Sequence, residues 1–140
     1  VDAAAASIAG AAAAGLAADP VLPRLLAELH AVLERKAPYE EALAFKRRLA
    51  EAVEKAGARL AAALPPLSAG DGARFILYIY AQVAGLVGQS DLSPFMRKIC
   101  AEPGLELFKL DFEAALFESS RAMLAGILKA ARERGRGAAR

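Results

Sequence analysis

At 140 residues the chain has the length of one ordinary domain, enough to bury roughly two-thirds of its unfolded surface. Hydrophobic residues make up 56% and charged ones 24%, alanine is abundant, and that composition favours helix; a net charge of +2 is too small to suggest nucleic acid on its own. Cys100 is the single cysteine and cannot form an internal disulfide, which fits a reducing, cytoplasmic compartment, and no apolar run reaches the roughly 18 residues of a membrane span because Asp2, Asp19 and Arg24 interrupt the first third.

The chain opens on "VDAAAASIAGAAAAGLAADP", which lacks the basic start of a signal peptide and begins with Val, an expectation that residues precede it. Residues 3–16 have helical propensity but little to bury beyond Ile8 and Leu16, and Gly10 and Gly15 weaken them. A frayed end and a connecting helix are equally open readings. Asp19-Pro20 and Pro23 then start a helix whose Leu22, Leu25, Leu26, Leu29 and Leu33 fall on one stripe, closed by Ala37-Pro38. The next helix starts near Pro38 and stops before Pro65-Pro66, with Tyr39, Leu43, Leu49, Val53, Gly57, Leu60 and Leu64 on one arc. Ser68 or Asp71 caps a third helix, carrying "FILYIYAQVAGLVGQSD", and "SDLSP" ends it. A short helix follows from about Pro94 to Ala101 and stops at Pro103-Gly104. The last and longest spans roughly Leu105 to Arg132, after which the basic residues 133–140 are expected to be a disordered tail. No segment alternates with a period of two, so the expected fold is an all-α helical bundle with no sheet.

The third helix carries no charge after Arg74 and before Asp91, and so has no face suited to water. On a helical wheel Phe75, Tyr78, Gln82, Gly85, Leu86 and Gln89 mix aromatic bulk with hydroxyl and amide groups, the usual lining of a small-molecule pocket. Leu77, Ala81, Ala84 and Gly88 lie opposite, and small residues at four-residue spacing admit a neighbouring helix. The terminal helix has two apolar stripes, one of Leu105, Phe108, Phe112, Leu116, Met123, Ile127 and Ala130, the other of Leu110, Phe117, Leu124 and Leu128. A bundle this small covers one of them comfortably, which leaves the other for a second copy of the chain.

Polar residues on apolar arcs are the other candidates. Lys46 falls among Leu43, Leu49, Ala50 and Val53, where it either meets an acceptor on a ligand or carries its charge out to water. His30 sits at the edge of its stripe, as a satisfied half-buried histidine or a ligand contact. The pocket set is therefore Phe75, Tyr78, Gln82, Leu86 and Gln89 with Lys46, Phe45, His30 and Phe112; the dimer set is Ala81, Ala84, Gly88, Phe117, Leu124 and Leu128. One histidine and one cysteine supply no metal centre or nucleophile motif, and no glycine-rich phosphate loop follows a strand, so neither an enzyme nor a cofactor or metal site is expected.

The order "DPVLPRLLAELHAVLERK", "FKRRLAEAVEKAGARLAAALPPLSAGDGARF", "LYIYAQVAGL" and "LFKLDFEAALFESSRAMLAGI" resembles the C-terminal ligand-binding and dimerisation domain of TetR-type bacterial transcriptional regulators, over roughly Asp19 to Ile127. The runs Leu29-His30-x-x-Leu33-Glu34, Phe45-Lys46 and Tyr80-Ala81-x-x-Ala84-Gly85-Leu86 carry most of the resemblance; Val87-Gly88 departs from the bulkier residues common after the Gly-Leu pair.

The resemblance implies a homodimer built on a four-helix interface from the 75–88 and 105–130 segments, with an effector among the central helices. It implies operator DNA only through an N-terminal helix-turn-helix that this sequence does not contain, residues 1–18 being the remainder of the connecting helix and residues 19–132 the domain itself. A small hydrophobic or aromatic effector, a repressor and no membrane contact complete that expectation. A helical self-association or protein-docking module without a small-molecule ligand is the alternative: it accounts for the apolar stripes but not for the tyrosine and glutamine face.

Overall fold

The computed structural model describes residues 2–35 and 37–138; the side chains of Asp2, His30, Ala31, Leu33, Glu34, Arg35 and Ala138 lie outside that description. The architecture is all-α: α1 (Asp2–Ala17), α2 (Leu22–Arg35), α3 (Tyr39–Ala63), α4 (Ala69–Ser90), α5 (Pro94–Ile99), a short 3-10 turn at Glu106–Phe108 and α6 (Phe112–Ala138). Short polar side chains start most of these helices by accepting orphan backbone N–H groups. Asp19 accepts from Val21 and Leu22 before α2, Ser93 from Met96 at α5, and Asp111 from Ala114 at α6. Ser68 and Asp71 both serve α4, as N-cap and third residue of one reciprocal capping box. Between α5 and the 3-10 turn the chain reverses at Gly104, whose φ of 87° lies in the left-handed region. No single helix among the described residues is long and apolar enough to cross a membrane.

Helix α4 is central, packed against α2, α3 and α6, while α1 lies along α6 and also touches α2. The core joins Phe75, Ile79 and Val83 of α4 to Leu116, Leu124, Ile127, Leu128 and Ala131 of α6 and to Ala5 and Ala13 of α1. Of the two readings open for the alanine block, the frayed end does not hold: Ala5, Ala9 and Ala13 are buried at four-residue spacing, and Phe117 of α6 lies against the α1 backbone near Gly10. Two expectations are corrected here. Most of the second stripe is covered within the chain, Leu124 and Leu128 being only 0% and 2% exposed and Phe117 half-buried, while Leu110 stays exposed. Finally, α6 starts at Phe112 rather than Leu105, because Asp111 caps it there, and it stays helical to Ala138 through most of the segment expected to be a disordered tail.

Backbone meets backbone where α3 crosses α4. After α3 the chain turns through residues 64–68, which include a cis Pro65–Pro66 bond, and α4 returns antiparallel. Gly57 and Gly72 meet at the crossing. A Cβ built on Gly57 would stand 2.6 Å from the Ala73 Cα, and one on Gly72 would stand 2.9 Å from the Gly57 Cα, in both cases against backbone that cannot swing aside. Only glycine permits this approach.

These environments separate glycines that look alike in sequence. Gly57→Ala should destabilise the fold by about 3 kcal/mol, because overpacking here displaces a helix. Gly10→Ala should stabilise it by about 0.5–1 kcal/mol, since the new methyl gains helix propensity and meets Phe117 at an ordinary 3.8 Å. Urea unfolding of both variants checks the opposite signs.

Candidate functional site

Pinned at Gly57 and Gly72, α3 and α4 leave a groove on one side of the crossing. It is lined from α3 by Lys46, Leu49, Ala50, Val53 and Glu54, and from α4 by Ala73, Arg74, Leu77, Tyr78, Tyr80 and Ala81. Its volume of about 730 Å³ falls within the roughly 300–1,000 Å³ of small-molecule sites. The body of the groove is aliphatic and aromatic, with charged groups at its rims. The short-side-chained Ala50, Ala73 and Ala81 leave the space that the longer side chains border.

The expected pocket residues do not converge on this groove. Of that set it holds Lys46 and Tyr78, both exposed, and it also takes Ala81 from the expected dimer set. Gln82 and Leu86 face a second hollow of about 630 Å³ between α4 and α6, together with Gly85, Leu110, Ala115, Glu118 and Ser119. There Ser120 donates a hydrogen bond to Gln82 at 3.4 Å, a long contact that ties the two helices. Gln89 borders a hollow of about 240 Å³ beside Leu92, Met96, Ile99, Cys100, Leu105 and Phe108. Phe112 lies near Pro20, Pro23 and Arg24 at the start of α2. Phe45 is half-buried on α3 and lines none of these hollows, and the His30 side chain lies outside the described residues.

Phe75, at 1% exposure, belongs to the core and lines none of these hollows. Of the other expected dimer residues, Ala84 and Phe117 are half-buried and Gly88 is open to solvent. Leu77, Tyr80, Leu49, Val53, Glu54 and Arg74 are groove residues that wheel reasoning did not select. The available signal was in α3, where Leu49 and Val53 share the apolar arc with Lys46.

One end of the groove is electrostatically fixed. Asp71, buried at the first turn of α4, accepts from the Ser68 backbone N–H at 3.1 Å and from the Ser68 hydroxyl at 2.8 Å. Arg74 donates to it at 2.8 Å and Arg134, from the far end of α6, at 2.7 Å. Burial by itself pushes the Asp71 pKa up. The Ser68 hydrogen bonds and then the Arg134 guanidinium outweigh it and hold the carboxyl below its ordinary value. Arg74 thus shares the single Asp71 carboxylate with Arg134 while forming part of the groove wall.

Chemically the groove can shelter an apolar molecule and offer charged or hydroxyl contacts at its edges. Among the described residues no group of three or more His, Cys, Asp or Glu side chains is placed to hold a metal ion.

With the geometry established, comparison with known proteins gives one match. The family profile described as "Tetracyclin repressor-like, C-terminal domain" matches residues 1–131, so its span includes α1 as well as the α3–α4 groove. No curated protein and no solved structure matches the chain.

The Asp71 cluster makes a pH prediction. Because its folded pKa is depressed, its stabilisation is complete above the unfolded value of about 3.9 and is lost as pH falls below it, through the folded pKa. Asp71→Asn should cost about 1–2 kcal/mol at neutral pH, as loss of the ion pairs with Arg74 and Arg134 and of the charge in the bonds from Ser68, and should flatten the acid limb of stability below about pH 4. Urea midpoints of both proteins between neutral and acid pH measure this.

Proposed function

The chain belongs to the family of tetracyclin repressor-like C-terminal domains, and from that premise we propose that it is the effector-binding and dimerisation domain of a transcriptional repressor. A small hydrophobic ligand controls DNA binding by a helix-turn-helix N-terminal to this domain, and the working form is a cytoplasmic homodimer. The observation that carries the reading is the position of α4. One side of this helix walls the apolar α3–α4 groove, and beyond Arg74 its solvent side presents Ala81, Gly85, Gly88 and Gln89 with no charged group.

The groove is the effector site in this reading, with Leu49, Val53, Leu77, Tyr78 and Tyr80 around the ligand body. The dimer surface joins Ala81, Gly85 and Gly88 of α4 to Ala122 and Gly126 of α6, all exposed. A Cβ added at Gly85, Gly88 or Gly126 meets nothing within 4 Å inside the chain, so the backbone there is open to another helix. Two such helices from each copy give a four-helix interface with near-parallel packing. Leu124 and Leu128 are left out of this surface because α1 and the core already enclose them. A ligand beside Tyr78 and Ala81 touches the same helix turns that face the partner, which gives the effector a direct route to the spacing of the two DNA-reading heads.

Sedimentation equilibrium at micromolar concentration should show a dimer. Gly85→Leu combined with Gly126→Leu should shift it to monomer without lowering helicity by circular dichroism, because both side chains enter open space within the monomer. A wild-type monomer removes the dimer reading, and an unaffected double variant moves the interface elsewhere.

A further inference from the structure

The α3–α4 groove is electrically asymmetric. Lys46 stands exposed at the end away from the helix crossing and makes no hydrogen bond or ion pair among the described residues. About two turns further along α3, or about 12 Å of helix rise, Glu54 stands near the end that Gly57 and Gly72 close. Arg74 on the facing helix is already held by Asp71 at 2.8 Å. Arg134 shares that same carboxylate, so Glu54, Asp71 and the two guanidiniums leave the closed end balanced in charge, and an anion finds its uncommitted cation, Lys46, at the open end. Between them Leu49, Ala50, Val53, Leu77 and Ala81 present hydrocarbon alone.

Resting on the reading of this groove as the effector site, we propose that it selects an elongated amphiphile with one carboxylate head. The head sits at Lys46 and accepts from its ammonium. The apolar tail runs along Leu49, Val53 and Leu77 toward the Gly57–Gly72 crossing. The reverse orientation sets the head against Glu54. A neutral molecule of the same shape forgoes the charge-assisted contact, and a cationic one meets Lys46 with like charge.

Calorimetric titration of the 140-residue chain with decanoate, decanol and decylamine, each below its micelle-forming concentration, tests this. Decanoate should bind about tenfold more tightly than decanol, the equivalent of one charge-assisted contact, and decylamine most weakly. Lys46→Gln should bring decanoate down to the affinity of decanol and leave decanol unchanged; Lys46→Glu should favour decylamine over decanoate. Lys46 is exposed, so neither change threatens the fold. Equal affinities for decanoate and decanol, an unchanged decanoate affinity in Lys46→Gln, or no decanoate binding overturns the proposal. Ala50→Trp, which fills the groove from α3, separates that failure from a deeper one. If it abolishes decanol binding, the groove stands as a site for neutral apolar ligands. If it leaves every affinity unchanged, the groove is not the site and the effector reading falls too.

Discussion

Everything in this fold that bears on a ligand depends on two glycines touching. Gly57 and Gly72 let the backbones of α3 and α4 meet at one point. Ordinary side chains hold packed helices about 8–10 Å apart along their length. A crossing this close forces two antiparallel helices to separate further along, and the longer side chains of Leu49, Val53, Leu77 and Tyr80 then border space rather than fill it. Fixing one end is as important as opening the other. The Ser68–Asp71 capping box and the reach of Arg134 from α6 anchor the first turn of α4 next to the crossing, so the groove has a rigid closed end.

The second consequence is a division of labour around α4. Phe75, Ile79 and Val83 are buried against α6, Ala73, Leu77 and Tyr80 face the groove, and Ala81, Gly85 and Gly88 are open. A helix uncharged from Phe75 to Ser90 is otherwise a liability in water. Here each face has a use: core, groove wall and, as proposed, contact with a second copy. The small residues on the open face matter because they expose backbone rather than bulky hydrocarbon, which limits the cost of exposure in the monomer while still allowing close helix approach.

Much of the architecture was legible in sequence because it is written locally. Prolines and Asp or Ser caps bracket α2, α3, α4 and α5 within two or three residues, and the absence of any two-residue alternation correctly left no place for a sheet. What escaped was non-local or too fine for a wheel. An alanine helix has no contrasting face, so the burial of Ala5, Ala9 and Ala13 against α6 left no hydrophobic stripe to read. Arg134 looked like part of a solvated tail because its partner Asp71 lies 63 residues upstream. Phe75 and Tyr78 were grouped on one face, yet three residues leave them about 60° apart on the helix. That angle is enough to bury the first against α6 and turn the second to the groove. The approach of Gly72 to Gly57 was not read at all, since nothing local reveals that the two lie against each other.

The central claim is that the space between α3 and α4 receives the effector. Hydrogen–deuterium exchange followed by mass spectrometry, with and without decanoate, addresses it without any substitution. The account predicts slowed exchange confined to peptides covering Lys46–Glu54 and Ala73–Ala81, the two walls of the groove. Protection centred instead on the hollow formed by Gln82, Leu86, Leu110 and Ser119, with the groove walls unchanged, would contradict it.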